Sequence, residues 1–139
     1  MAHETQILGK VSEITAALAL IANGWEVAEP VMAEEYDLVA KDPIDKKWRT
    51  FQVKSLRRRS DRNNEMVIVG RKNNGGTYQP SEVDYMLGVD TVNDVVYMVE
   101  CSGLSEYWAS ESTAAKRWVE LSAKEVVEAI TENNEVEAV

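Results

Sequence analysis

The chain has 139 residues, 45% of them hydrophobic, which suits one domain (1–139) with a modest core. A net charge of −9 argues against a uniformly basic nucleic-acid binder. The one cysteine, Cys101, excludes an intrachain disulfide and a thiolate metal cluster within one chain, and fits a reducing, intracellular setting.

The start, MAHETQILGK, lacks a basic segment followed by an apolar run, so no signal peptide is expected. His3, the single histidine, stands where fraying is expected, so neither a catalytic triad nor a histidine-built metal site is expected. Residues 9–23 read as a helix. Val11, Ile14, Leu18 and Ile21 recur at helical spacing and predict an apolar face packed on the core. Asn23-Gly24 supplies the stop. Glu13 stands beside the stripe, as a surface glutamate or as a site residue. A short strand over residues 25–29 follows, ended by Pro30; Glu34 and Glu35 then add acid, as loop residues or as neighbours of a site.

Residues 36–41 and 48–54 read as two strands around a polar turn with Asp-Pro and Asp-Lys steps. On the second strand Thr50, Gln52 and Lys54 share one face, and Phe51 and Val53 the other. If the strands pair, the Asp37 carboxylate, the Gln52 amide oxygen and the Lys54 ammonium converge. Asp37 at a sheet terminus is costly without a partner, which a divalent cation, Lys54 or a backbone turn would supply.

Asp37, then Gln52-x-Lys54 on the next strand, with Glu13 on a preceding helix, resembles the PD-(D/E)xK nuclease superfamily. The stretch GKVSEITAALALIANGWEVAEPVMAEEYDLVA…FQVKS is similar to its phage- and intron-associated branch of homing endonucleases and Holliday-junction-resolvase-like proteins. The likeness spans roughly residues 9–100. It implies an α/β fold: a restriction-endonuclease-like core with a mixed central β-sheet flanked by helices. It also implies a Mg²⁺-dependent DNA endonuclease, with Mn²⁺ as a substitute, that leaves 5′-phosphates. Metal ligands would be Asp37, the Gln52 side chain, the Val53 carbonyl and Glu13; Lys54 would stabilise charge in the transition state. Gln52 departs from the commoner Asp or Glu, although some intron-encoded members carry Gln. This keeps a second reading open, a catalytically silent nuclease-fold module that binds DNA or protein. The expected partners are double-stranded or branched DNA and a homodimer or higher homo-oligomer, because cutting two strands takes two sites. A membrane is not expected, and the setting implied is intracellular, phage- or mobile-element-encoded.

Residues 41–72 hold eleven basic and four acidic residues, against three and thirteen over residues 73–139. The basic block is either a solvated loop face or a phosphate-facing surface. Its expected DNA contacts are Arg57, Arg58, Arg59, Arg62, Arg71 and Lys72, with Tyr78 stacking on a base or packing at the rim. Residues 65–69 are expected as the third strand of the sheet, and residues 94–99 as a later one after a hairpin turn at 91–94. Residues 71–78 read as a flexible, basic loop that lacks the setting of a phosphate-binding P-loop. Asp84 reads as structural and Cys101 as a core or edge thiol. Residues 102–120 read as a connector with partial helical character. Ser122 to Glu125 reads as a capping box opening a helix through Ile130, with 132–139 loose. The four tryptophans mark an interface or fill the core. No apolar run is expected to reach the length of a membrane span.

Overall fold

In the computed structural model, which describes residues 3–137, the chain opens with helix α1 over Glu4–Ala22. It starts five residues before the expected Gly9 because the polar run Glu4-Thr5-Gln6 builds an N-terminus. The Gln6 side chain accepts the His3 N–H at 3.1 Å, and His3 is the N-cap rather than part of a frayed start. At the other end Gly24, at φ +89°, turns the chain, and its N–H donates to Ile21 O at 3.0 Å.

The packing face of α1 is the reverse of the expected one. Ser12, Ala16, Ala19 and Leu20 are buried, whereas Val11, Ile14, Leu18 and Ile21 are exposed. Small side chains let the helix backbone approach the sheet closely, and the Ser12 hydroxyl meets Ser55 Oγ there at 3.2 Å. One helix cannot bury both of its apolar faces on one sheet. By length and composition α1 also meets the requirement for a bilayer-crossing helix, contrary to expectation, but its small-residue face belongs to the protein core.

Strands β1 (Glu26–Ala28), β2 (Leu38–Lys41) and β3 (Trp48–Ser55) form an antiparallel meander. The expected Asp-Pro turn closes through Asp42 N to Lys47 O at 2.8 Å, with Asp42 Oδ1 accepting the Ile44 N–H. After β3 the chain leaves this sheet. β4 (Arg57–Arg59), β5 (Glu65–Val69) and later β8 (Glu106–Ala109) make a separate three-stranded sheet. Residues 65–69 are therefore a strand, but not the third strand of the main sheet. That place beside β3 goes to β6 (Tyr85–Asp90), which pairs with it in parallel. β7 (Val95–Glu100) returns from β6 over the expected turn, and a two-residue β9 (Val119–Glu120) completes the order β1-β2-β3-β6-β7-β9.

One core lies between α1 and the main sheet. Phe51 is its centre, edge-on to Trp25 at 5.4 Å and stacked on Tyr85 at 5.5 Å. The second core lies between the two sheets and includes Met66, Ile68, Met86, Cys101 and Trp118. The sheets come close at Gly88, opposite Lys54 on β3, where an added Cβ would stand 2.5 Å from Ile68 Cγ1. The connector at 102–120 holds β8, a single-turn helix α2 (Ala114–Arg117) and β9, more strand than expected. Trp25 and Trp118 are buried; Trp48 and Trp108 are exposed.

The capping box at Ser122 does not form. Ser122 Oγ accepts the Val96 N–H at 3.1 Å and donates to Glu120, so it ties β7 to β9 instead. Helix α3 runs over Lys124–Glu137, past the expected end at Ile130 and through most of the segment expected to be loose. Residues 138–139 of that segment lie outside the described residues.

Candidate active site

Asp37 stands immediately before β2. Its N–H donates to Phe51 O at 2.9 Å, and its Oδ2 accepts the Val53 N–H at 2.9 Å. On β3 alternate residues turn their backbone groups to opposite neighbours. Thr50 O accepts the Asp84 N–H beside β6, while Phe51 and Val53 serve the β2 edge. The Val53 carbonyl therefore faces the edge that Asp37 occupies, beyond the end of β2. Burial pushes the Asp37 carboxyl above its ordinary range, opposed by the Val53 N–H and by the charges of Lys54 and Lys10.

Two grooves share this residue, and a third adjoins one of them. One of about 460 Å³ is lined by Asp37, Gln52, Glu34, Glu35, Lys72 and Tyr78. The next, about 360 Å³, has Asp37 and Glu34 again, with Glu13 and Lys10 from α1. A third, about 350 Å³, is lined by Lys54, Arg57, Arg71 and Lys72. Asp37 is thus common to the Gln52 side and the Glu13 side, and Lys72 joins the Gln52 groove to the Lys54 groove. The strand alternation that puts Phe51 in the core puts Gln52 and Lys54 on the opposite face, as expected.

Burial lowers the Lys54 ammonium, against the pull of Asp37. Its Nζ donates to Arg71 O at 3.3 Å and lies 5.3 Å from the centre of the Tyr78 ring. Lys72 approaches the same ring at 5.5 Å and pairs with Glu82. Tyr78 is therefore packed against two ammonium groups. The Glu35 carboxyl is raised, first by the neighbouring Glu82 carboxyl group. The loop at 71–78 is a closed turn, with Lys72 N donating to Gly76 O at 2.7 Å and Tyr78 N to Gly70 O at 3.0 Å.

Much of the basic block is paired within the protein. Arg58 binds Asp90 and Glu111, Arg59 binds Asp61, and Arg62 binds Glu65. Arg59, Arg62 and Arg71 all approach Glu106, at 3.6, 3.0 and 3.8 Å. Among the described residues Arg57 and Lys54 make no ion pair. Asp84 accepts from Thr50 N at 2.8 Å and from its hydroxyl, so it clamps β3 at the entry to β6.

Among the described residues no group of three or more His, Cys, Asp or Glu is placed to hold a metal. A cation beside Asp37 would rest on a carboxylate, the Gln52 amide oxygen, the Val53 carbonyl and the Glu13 carboxylate. This all-oxygen set fits a hard divalent ion such as Mg²⁺ or Mn²⁺ rather than zinc. Lys10, Glu82 and Glu106 were not among the expected site residues. Lys10 was discoverable from its place three residues before Glu13, with which it pairs at 3.6 Å. Glu82 and Glu106 reach the basic block only through the tertiary fold.

The fold and this carboxylate–amide–lysine edge define a restriction-endonuclease-like protein. Residues 3–115 match the family model described as PD-(D/E)XK endonuclease, and the chain belongs to that family. Among solved structures it is similar to the bacterial homing endonuclease I-Ssp6803I, with a TM-score of 0.66, 17% identity, and 99% of each chain covered. No curated protein matches it.

Proposed function

We propose that this chain is a metal-dependent DNA endonuclease that hydrolyses phosphodiester bonds in double-stranded or branched DNA, leaving 5′-phosphates. The observation that carries the reading is Asp37. It is half-buried, tied to Val53, and shared by the grooves that hold Gln52 and Glu13. A Mg²⁺ or Mn²⁺ bound there would polarise the scissile phosphate and acidify a water molecule. Asp37, the Gln52 side chain and the Val53 carbonyl would hold it, with Glu13 ligating or orienting water from α1. Lys54 positions the water and stabilises negative charge on the phosphate oxygens. The Arg71 carbonyl and the Tyr78 ring restrain its ammonium beforehand, which limits reorganisation. Arg57, with Arg71 and Lys72 in the same groove, holds the DNA backbone; Arg58, Arg59 and Arg62 add to that surface. Tyr78 acts from the rim. A homodimer or higher homo-oligomer supplies the second site for cutting both strands. An intracellular, phage- or mobile-element setting accords with this reading.

A second reading is favoured by Gln52, which adds no charge, and by the lack of a three-acid cluster among the described residues. It is a silent nuclease-fold module that binds DNA or protein. Cleavage assays on linear, nicked and four-way DNA with Mg²⁺ or Mn²⁺ separate the two. The wild type is expected to cut at least one substrate and Asp37→Ala none. Full activity in Asp37→Ala would reject the site; binding without cutting in the wild type would select the silent module.

A further inference from the structure

We infer that α1 is a self-association surface, paired antiparallel across a twofold axis with α1 of a second copy of this chain. Three observations lead there. The first is the inverted face. Ile7, Val11, Ile14, Leu18 and Ile21 step by four and three residues along a single stripe, and all five are exposed. That spacing keeps them on one side of the helix, where they present a continuous ridge to a neighbour. Isolated exposed aliphatics are ordinary, but a full-length stripe on one helix is not.

The second observation is that residues 3–11 are exposed at every position. The first two turns of α1 project from the body with Ile7 and Leu8 in water. A helical segment this short gains its stability from tertiary packing rather than propensity, and here its own chain supplies none. The third is a groove of about 610 Å³ at the opposite end of the same helix, lined by Leu18 and Ile21 of α1 and Val127 and Ile130 of α3. One end of the helix is an apolar projection, and the other end borders an apolar groove.

These features are complementary when two copies meet with their α1 helices antiparallel. The stripe reads alike from either end, with Ile7 and Ile21, then Val11 and Leu18, flanking Ile14. An antiparallel pair crossing near Ile14 sets Ile7 and Leu8 of each chain into the groove beside Leu18, Ile21 and α3 of the other. A twofold interface of this kind uses one patch twice, and the antiparallel arrangement also opposes the two helix dipoles. A bilayer or an unrelated partner would explain the exposed stripe but not why the same helix carries both projection and groove. Lys10 and Glu13 lie on this helix and line a groove with Asp37, so pairing would order the helical segment that carries them. The surface is assigned from packing alone and stands whether or not the site cuts DNA.

Sedimentation equilibrium of the full chain tests this, at concentrations up to about 100 μM, well above a micromolar dissociation constant. The expected wild-type mass is twice the 15.6 kDa of the chain. Ile14→Glu, an exposed position placing two carboxylates at the axis, is expected to sediment at 15.6 kDa with an unchanged circular dichroism spectrum. Ile14→Cys, treated with a short bis-maleimide, is expected to crosslink far faster than Ile44→Cys, an exposed position on the β2–β3 turn and off the helix; the native Cys101 is buried. The crosslinking arm stands if Ile14→Glu fails to fold. The proposal is overturned by a wild-type monomer throughout this range, or by a dimer that survives Ile14→Glu. A monomer that pellets with phospholipid vesicles would also overturn it, as would equal crosslinking at positions 14 and 44.

Discussion

The Asp37 carboxylate accepts the Val53 N–H at 2.9 Å, so the acid that anchors the groove also closes the open end of the β2–β3 ladder. Under the proposed function a carboxylate in this place would hold the metal, but on its own it costs stability, because burial raises its pKa. The folded carboxyl prefers its proton, so the unfolded chain ionises first as pH rises. Stability is therefore lost as pH climbs from the ordinary carboxylate range through the folded value. In EDTA, Asp37→Asn keeps an acceptor for Val53 and removes the charge, and is expected to melt a few degrees above the wild type at neutral pH. The margin should close towards about pH 3.5, where both forms are largely neutral. A variant less stable than the wild type at neutral pH would contradict this. Thermal unfolding in EDTA reads it.

Lys54→Ala should lower the cleavage rate by roughly 100-fold or more, the scale of one lost charge-stabilising group. DNA affinity should fall by less than about tenfold, since Arg57, Arg71 and Lys72 remain in the same groove. Single-turnover kinetics with a parallel binding titration separate the effects. Equal losses in both would make Lys54 a binding residue alone.

Glu106→Gln should strengthen DNA binding. Glu106 approaches three guanidinium groups; it is the one acid paired with Arg71 among the described residues, and it shares Arg59 with Asp61 and Arg62 with Glu65, so removing its charge frees Arg71 and leaves the other two with one acid each. Affinity at low salt should rise by about threefold to tenfold, and the salt dependence should steepen by about one phosphate contact. Unchanged affinity and slope would mean that these arginines are structural.

Asp90 is nearly buried. Burial works against its charge, but the Asn93 side chain and backbone, Arg58 and the Val92 N–H together hold its carboxyl below the ordinary value. Its contribution is present above the ordinary carboxylate range and is lost as pH falls through the lower folded value. Asp90→Ala should destabilise by about 2–3 kcal/mol at neutral pH, from the unpaired turn donors and Arg58. The loss should shrink in acid. Urea unfolding across pH measures it, and a pH-independent difference would assign the effect to packing.

The strand–turn–strand from residue 36 to 55 was readable because its determinants are local. Period-two alternation sorts Phe51 from Gln52 and Lys54, and Asp42 makes its own turn. The packing of α1 was not readable in the same way. This helix has a small-residue face at Ser12, Ala16 and Ala19 and a bulky one at Ile14 and Leu18, and periodicity does not say which of the two the chain's own sheet takes. Residues 65–69 were recognisable as a strand, but their sheet was set by pairing with Trp108 and its neighbours, about forty residues on. The basic block was visible as composition. Its partial neutralisation was not, because Glu106 reaches Arg62 across 44 positions of sequence.

The contact between Gly88 and Ile68 limits how this sequence can drift. A methyl group at position 88 would stand 2.5 Å from Ile68 Cγ1 and 3.2 Å from Leu56 Cδ1, on the side where the two sheets meet. Neither position can therefore change freely while the other stays as it is. In homologues that keep both sheets, a larger residue at 88 should be accompanied by a smaller one at 68. A library randomising both positions should return pairs of nearly constant combined volume. Since Lys54 sits opposite Gly88 in the parallel register, the depth of the inter-sheet layer behind the site should vary among homologues through this pair together rather than through two independent residues.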